Sequence, residues 1–309
     1  MKDIINYYYN LNIDIIHEQP SCSSFEYNGE EFYFVYFNRD KEELEDISII
    51  ISELKFKNFK VHDFILNRNQ ELLTKVGNHY YILMKLNTKK NAVIDFTDIC
   101  ELTNKLKLSR KTSKLYRNNW AELWSKKIDY FEYQISELGK DKKMILDSFG
   151  YYLGMAENAI SYVNKINKVI GISDNDNISL SHRRIFFPNI ALNYYNPLSF
   201  VFDLEIRDIS EYLKMHFFHN EDSLLDLQTF LKIRSLTPYS YHMLYARLLY
   251  PSYYFDVFDA IMNNNEDNEM VMQVIKKTKE YEKFLKDAYL EISKYTNLEK
   301  IDWVMKKEL

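Results

Sequence analysis

Glycine is the scarcest structural residue in this sequence, with six in 309 residues against an average usage of about 7%. A Walker-type phosphate loop needs two glycines five apart followed by Lys, and a dinucleotide fingerprint needs three close together, because only glycine lets the backbone approach the phosphates. The closest pair here is Gly150 and Gly154, so both motifs are excluded. Cysteine is nearly as rare. Cys22 and Cys100 lie far apart, which excludes a disulfide framework and a zinc knuckle and leaves both as small hydrophobes. No apolar run approaches the ~20 residues of a membrane span, and Met1 to Asn12 lacks a signal-peptide core. The expectation is therefore a cytoplasmic protein with no membrane span. Positive charge is not in excess: 40 Lys and Arg against 45 Asp and Glu give a net charge of −5, which excludes the balance of a nucleic-acid-binding protein.

What is present suffices for a large core, with 46% hydrophobic and 28% charged residues. Ser24–Tyr27 and Glu31–Phe37 are β-prone runs joined by Asn28 and Gly29, a type I′ hairpin turn. Asp40 is placed to cap a helix over Lys41–Leu54, where Leu44, Ile47, Ile50, Ile51 and Leu54 recur at helical spacing. Strands are expected at Val61–Leu66, Glu71–Val76 and His79–Leu86, with Gly77 and Asn78 as a turn. Beyond Leu86 the spacing predicts helices over Asp95–Leu106, Lys114–Glu137 and Lys142–Val169, then short β segments at Arg184–Ala191 and Leu198–Leu204. Helices resume over Ile206–Phe218, Leu224–Ser235, a segment opened by Thr237 and Pro238, Tyr253–Met262, Met270–Tyr295 and Glu299–Met305. Gly154, Ala156 and Ala159 are small enough to admit a neighbouring helix, and the aromatic cluster Leu248 to Phe255 reads as core.

Ser181 to Ile190 read S-H-R-R-I-F-F-P-N-I, and Phe200 to Glu205 read F-V-F-D-L-E. With the order of elements, these segments resemble the aminoglycoside phosphotransferase-like branch of the protein-kinase-like superfamily, whose catalytic loop reads H-G-D-x-x-x-x-N and is followed by a strand ending in Asp. The blocks S-F-G-Y-Y-L-G-M-A-E-N-A-I-S-Y-V (Ser148–Val163), N-W-A-E-L-W-S-K (Asn119–Lys126) and L-Y-A-R-L-L-Y-P-S-Y-Y-F (Leu244–Phe255) are similar to the spore-coat-associated kinase-like proteins of Bacillus and relatives, the coat protein S type. The likeness runs over about residues 20 to 295. It implies an α+β, bilobal fold with a β-rich N-lobe over 1–86, an antiparallel sheet plus one helix, and a mainly helical C-lobe over 87–309 carrying a degenerate catalytic loop.

Carried over residue by residue, the resemblance makes His182 and Asp208 structural, places Asn189 and Asp203 at the metal-ligand positions, and sets Arg183 and Arg184 where the family has Gly and the catalytic Asp. No catalytic residue is intact. A guanidinium cannot take a proton from a substrate hydroxyl and repels Mg²⁺. Gln19–Tyr27, where a phosphate loop belongs, offers only Ser21, Ser23 and Ser24, and the strand Phe32–Phe37 has no Lys; its slot falls near Tyr36. Without that Lys, Glu43 and Glu45 read as solvated helix-face charge. Arg183 and Arg184 can bind an anion through forked hydrogen bonds, or Arg184 can pair with Asp203 or Asp208 and lock the site. His216 and His219, at i and i+3, fall short of a metal site.

The expectation is a kinase-like protein without phosphotransfer, a pseudokinase that acts as a binding or scaffold module for protein partners and is associated with the spore coat. The alternative is an atypical metal-dependent phosphotransferase using ATP and Mg²⁺ on a small hydroxylated or aminated substrate. A third reading is a switch that binds a nucleotide or small anionic ligand without transferring phosphate.

Overall fold

Asn28 and Gly29 both adopt positive φ, 52° and 76°, the conformation a type I′ turn demands. They close the hairpin between β2 (Cys22–Tyr27) and β3 (Glu30–Tyr36), which pair antiparallel with Phe25 opposite Phe32. In this computed structural model, residues 1–19, 22–88, 92–107, 113–138, 142–185, 190–264 and 269–305 are described. Ahead of the hairpin come α1 (Lys2–Tyr9), which no pattern in the sequence predicts, and β1 (His17–Gln19). Tyr and Asn are modest helix formers; α1 is held by burying Ile5 in the cluster of Ile13, Phe25, Phe32, Phe34 and Leu83. After the hairpin follow α2 (Lys41–Phe56), β4 (Asp63–Ile65), β5 (Thr74–Val76) and β6 (His79–Lys85). The sheet runs β1-β2-β3-β6-β4, with β5 also on β6, and these neighbours all pair antiparallel.

Next come α3 (Phe96–Lys105), α4 (Trp120–Leu138), α5 (Lys143–Val169), β7 (Ile178–His182), α6 (Ile190–Tyr194), β8 (Phe200–Leu204) and α7 (Ile206–Phe218). The remainder is α8 (Ser223–Ile233), α9 (Pro238–Leu249), α10 (Ser252–Asn264), α11 (Glu269–Lys276), α12 (Thr278–Ile292) and α13 (Asp302–Met305). β7 and β8 form a separate two-stranded sheet. The strand expected at Arg184–Ala191 lies earlier, because Ile178 to His182 is the segment whose residues are all buried, while the chain is helical from Ile190. The helix expected over Lys114–Glu137 starts at Trp120, and the one over Met270–Tyr295 breaks at Lys277, whose Nζ reaches the carbonyls of Phe217 and Phe218.

The chain divides into two compact units. One comprises Met1–Tyr116 with His182–Phe202, the other Arg117–Ser181 with Asp203–Leu309. In the second, Phe131 stacks on Phe255 and Tyr152 on Tyr254. Ala156 and Ala159 are fully buried, as helix packing requires. Gly154 is not part of that close approach, since a Cβ there would meet nothing within 4 Å. Two buried tyrosines place their hydroxyls on partners: Tyr162 on His242 Nδ1 at 2.7 Å and Tyr281 on the Leu248 carbonyl at 2.8 Å. Cys22 and Cys100 are free thiols. Among the described residues no helix is long and apolar enough to cross a membrane.

Candidate functional site

In the first unit, the residues around the segment that resembles a catalytic loop are organised by an arginine. Arg39 lies between β3 and α2 with its side chain 1% exposed, and its Nε donates to Glu43 Oε2 at 2.6 Å. Its Nη1 donates to the carbonyls of Leu198 and Phe200, both at 2.8 Å. Glu43 is thus buried and paired, which corrects its reading as a solvated charge; Glu45 is exposed as expected. The pairing occupies one of the two helix carboxylates, Glu43 and Glu45, that could hold a phosphate-binding Lys in a kinase, and directs the cation onto main-chain oxygens. Tyr36, at the Lys slot, is 37% exposed.

His182 is buried, its Nε2 donating to the Tyr194 carbonyl at 2.8 Å and its ring packed on Tyr194 and Phe200. Arg183 is exposed and its backbone N–H donates to Ser199, while Arg184 is half-buried. Asn189 lies outside the described residues, as does Ser21. The segment read as a phosphate loop is mostly strand, with Gln19 opposite Cys22 in the β1–β2 pair; Ser23 is buried opposite Phe34.

In the second unit the centre is Asp203, fully buried at the end of β8. Trp120 Nε1, at the start of α4, donates to both its oxygens, 3.1 Å from Oδ1 and 2.8 Å from Oδ2. The Leu204 N–H adds 2.8 Å to Oδ1, and Arg207, one turn along α7, ion-pairs with Oδ2. A carboxylate has about four acceptor positions, and three N–H donors, one of them shared between the two oxygens, are set against them. A guanidinium on Asp203 is that of Arg207. Glu205 is likewise buried, receiving Asn177 Nδ2 and Arg234.

Behind Trp120 the charges continue. The Arg247 guanidinium stands 4.6 Å from the Trp120 ring centroid, a cation–π distance, and its Nε is 2.9 Å from Glu211 Oε1, an ion pair short of hydrogen-bond geometry. Glu211 also receives Lys214 Nζ at 2.8 Å and the Ser252 hydroxyl at 2.8 Å. Burial would raise the Glu211 carboxyl, but Lys214 and Arg247 outweigh it and hold the pKa at about 2. Burial pushes Lys214 down to about 8 against the pull of Glu211, so both are charged at neutral pH. Asp208 is buried in the first turn of α7.

The resemblance carried by the sequence implies a Mg²⁺ ion held in part by Asp203. Mg²⁺ demands oxygen ligands in near-octahedral geometry, and a carboxylate whose two oxygens already accept from an indole, an amide and a cationic guanidinium does not fit that demand. Among the described residues no group of three or more His, Cys, Asp and Glu could hold a metal. His216 pairs with Asp226 at 3.1 Å, and His219 Nδ1 reaches the Met215 carbonyl. Trp120 is the functional residue that sequence reasoning missed. Its acceptor lies 83 residues away, so no local pattern pairs the two.

Both the sequence and the fold have known relatives. The family model described as spore coat putative kinase YutH matches residues 2–288. The endospore coat-associated protein YutH of Bacillus subtilis strain 168 is 30% identical over 190 residues, which cover 55% of this chain and 55% of that protein. The match therefore spans about half the length of that curated relative. Among solved structures, an aminoglycoside phosphotransferase from Alicyclobacillus acidocaldarius subsp. acidocaldarius DSM 446 is similar with a TM-score of 0.61 at 10% identity, covering 93% of this chain and 94% of that one. The AMP-bound spectinomycin phosphotransferase APH(9)-Ia is similar with a TM-score of 0.61 at 14% identity, covering 93% and 96%. At such identities the likeness shows the fold: the α+β, kinase-like arrangement of aminoglycoside phosphotransferases, with a small antiparallel N-terminal region and a mainly helical remainder.

Proposed function

The chain belongs to the YutH family of spore coat proteins, and on that premise we propose that it is a kinase-like protein without phosphotransfer activity that serves the spore coat as a binding or scaffold module for other proteins. The observation that carries the reading is Asp203, whose carboxylate is already engaged on both oxygens by Trp120, Arg207 and the Leu204 amide. Two further features support it. Arg184 stands where the resembled enzymes have their base and cannot accept a proton, and the cation beside Glu43 is engaged by the Leu198 and Phe200 carbonyls. The name of the relative supports a coat association. The protein is made in the cytoplasm and joins the coat by contacts with coat proteins, without nucleic acid.

Single-turnover incubation with γ-labelled ATP and Mg²⁺ or Mn²⁺ tests this, for the native chain and for Asp203→Asn. The expected result is no ADP above the background rate from either. ADP release that the Asp203→Asn change abolishes contradicts the proposal and establishes a metal-dependent phosphotransferase. For the coat role, a tagged chain expressed in a sporulating Bacillus is expected in the coat fraction; its retention in the soluble mother-cell fraction contradicts that part.

A further inference from the structure

The contacts of Asp203 and those of Lys214 are usually separate matters in a helical domain, but here one side chain joins them. Trp120 gives its indole N–H to Asp203 and its ring face to Arg247. Arg247 in turn stands against Glu211, and Glu211 against Lys214. The members come from α4 (Trp120), β8 (Asp203), α7 (Arg207, Glu211, Lys214) and α9 (Arg247), and Ser252 at the start of α10 closes the far end by accepting from Lys214 at 2.6 Å. Asp208, buried in the first turn of α7 and acting on the Arg247 charge, belongs to the set, and with it the charges cancel. Asp203, Asp208 and Glu211 are negative, Arg207, Arg247 and Lys214 positive, and apart from the partly exposed Glu211 and Arg207 side chains, at 17% and 11%, all are buried.

A neutral buried set of this kind has no surplus negative charge for a divalent cation, and three of its members already repel one. We infer that Trp120 is a positioning residue that converts the carboxylate at the metal position into the anchor of a closed, charge-neutral network linking α4, β8, α7 and α9, so that Asp203 binds no divalent cation. This deepens the proposed function and rests on it only in that both leave Asp203 without a metal. It adds which residue holds the carboxylate and what the carboxylate does instead. An indole suits this role because its single N–H reaches between the two oxygens while its face accepts the Arg247 cation. Phenylalanine retains the second contact and loses the first.

Indole N–H resonances test the inference directly. The chain has three tryptophans, so indole-labelled protein gives three signals, and Trp120→Phe identifies one by its loss. Asp203→Asn is expected to shift the Trp120 signal, because a charged acceptor is replaced by a neutral one, and to leave the Trp303 signal in place. Millimolar Mn²⁺ added to the native protein is expected to leave the Trp120 signal as intense as that of Trp303. Selective broadening of Trp120 by Mn²⁺ overturns the inference, as does a Trp120 signal unmoved in a folded Asp203→Asn variant. If that variant does not fold, the Mn²⁺ titration, which needs no variant, decides alone. ADP release without Mn²⁺ broadening would overturn the proposed function and leave this inference standing.

Discussion

Arg39 and Glu43 show how much a single pair decides. The guanidinium is almost fully enclosed and its carboxylate partner buried, so removing one leaves the other charged without compensation. Arg39→Ala is expected to lower the free energy of unfolding by about 3–5 kcal/mol, and Arg39→Lys to recover only part, because an ammonium does not reproduce the fork that reaches Glu43, Leu198 and Phe200 together. Urea unfolding of the two variants checks this; a native midpoint for Arg39→Ala would mean that Glu43 is solvated after all. The pair was poorly legible in the sequence. Arg39 precedes the Asp40 cap and so falls outside the helical wheel on which Glu43 was read, and its carbonyl acceptors lie 159 and 161 residues away. Asp203 was legible because a short motif carries it. Trp120 was not, because a tryptophan's acceptor is a matter of tertiary packing.

Elements with strong periodicity came through from sequence to structure. α7 spans Ile206–Phe218 as its pattern predicts, and Thr237 caps α9 by accepting from the Ser240 N–H. Short, fully buried strands did not, because an apolar run without alternation does not fix where a strand starts; β7 therefore lies ahead of its expected place. His62 shows how elements are fastened in the first unit. Its Nδ1 accepts the Asn87 N–H, just after β6, and its Nε2 donates to Leu192 in α6. That arrangement requires a neutral ring, and burial pushes its pKa from 6.5 down to about 4. Between those values the unfolded chain binds a proton that the folded chain refuses, so stability falls as pH drops from 6.5 to 4, by about 3 kcal/mol in all. Urea midpoints across this interval are expected to decline in the native protein and to be flatter in His62→Gln. Equal slopes in the two would contradict the assignment.

For the whole molecule, the order of a hairpin, a helix, further antiparallel strands and then helices was enough to place the fold, and the solved relatives agree over 93% of the chain. Activity does not follow from that agreement, because the same scaffold can keep its cores and lose its site. On the proposed reading the site departs from an enzyme's at three places: an arginine at the base position, a carboxylate engaged by an indole and a guanidinium, and a helix glutamate paired to a cation that holds main-chain oxygens. On that proposal each puts an internal contact where a nucleotide or its metal would bind. Thermal unfolding with and without millimolar ATP, each with and without Mg²⁺, tests this most directly. A ligand that binds only the folded state at ~100 times its dissociation constant adds about 2.7 kcal/mol. The account predicts no Mg²⁺-dependent shift under any of the four conditions; a rise that requires ATP and Mg²⁺ together, and that Asp203→Asn removes, would contradict it.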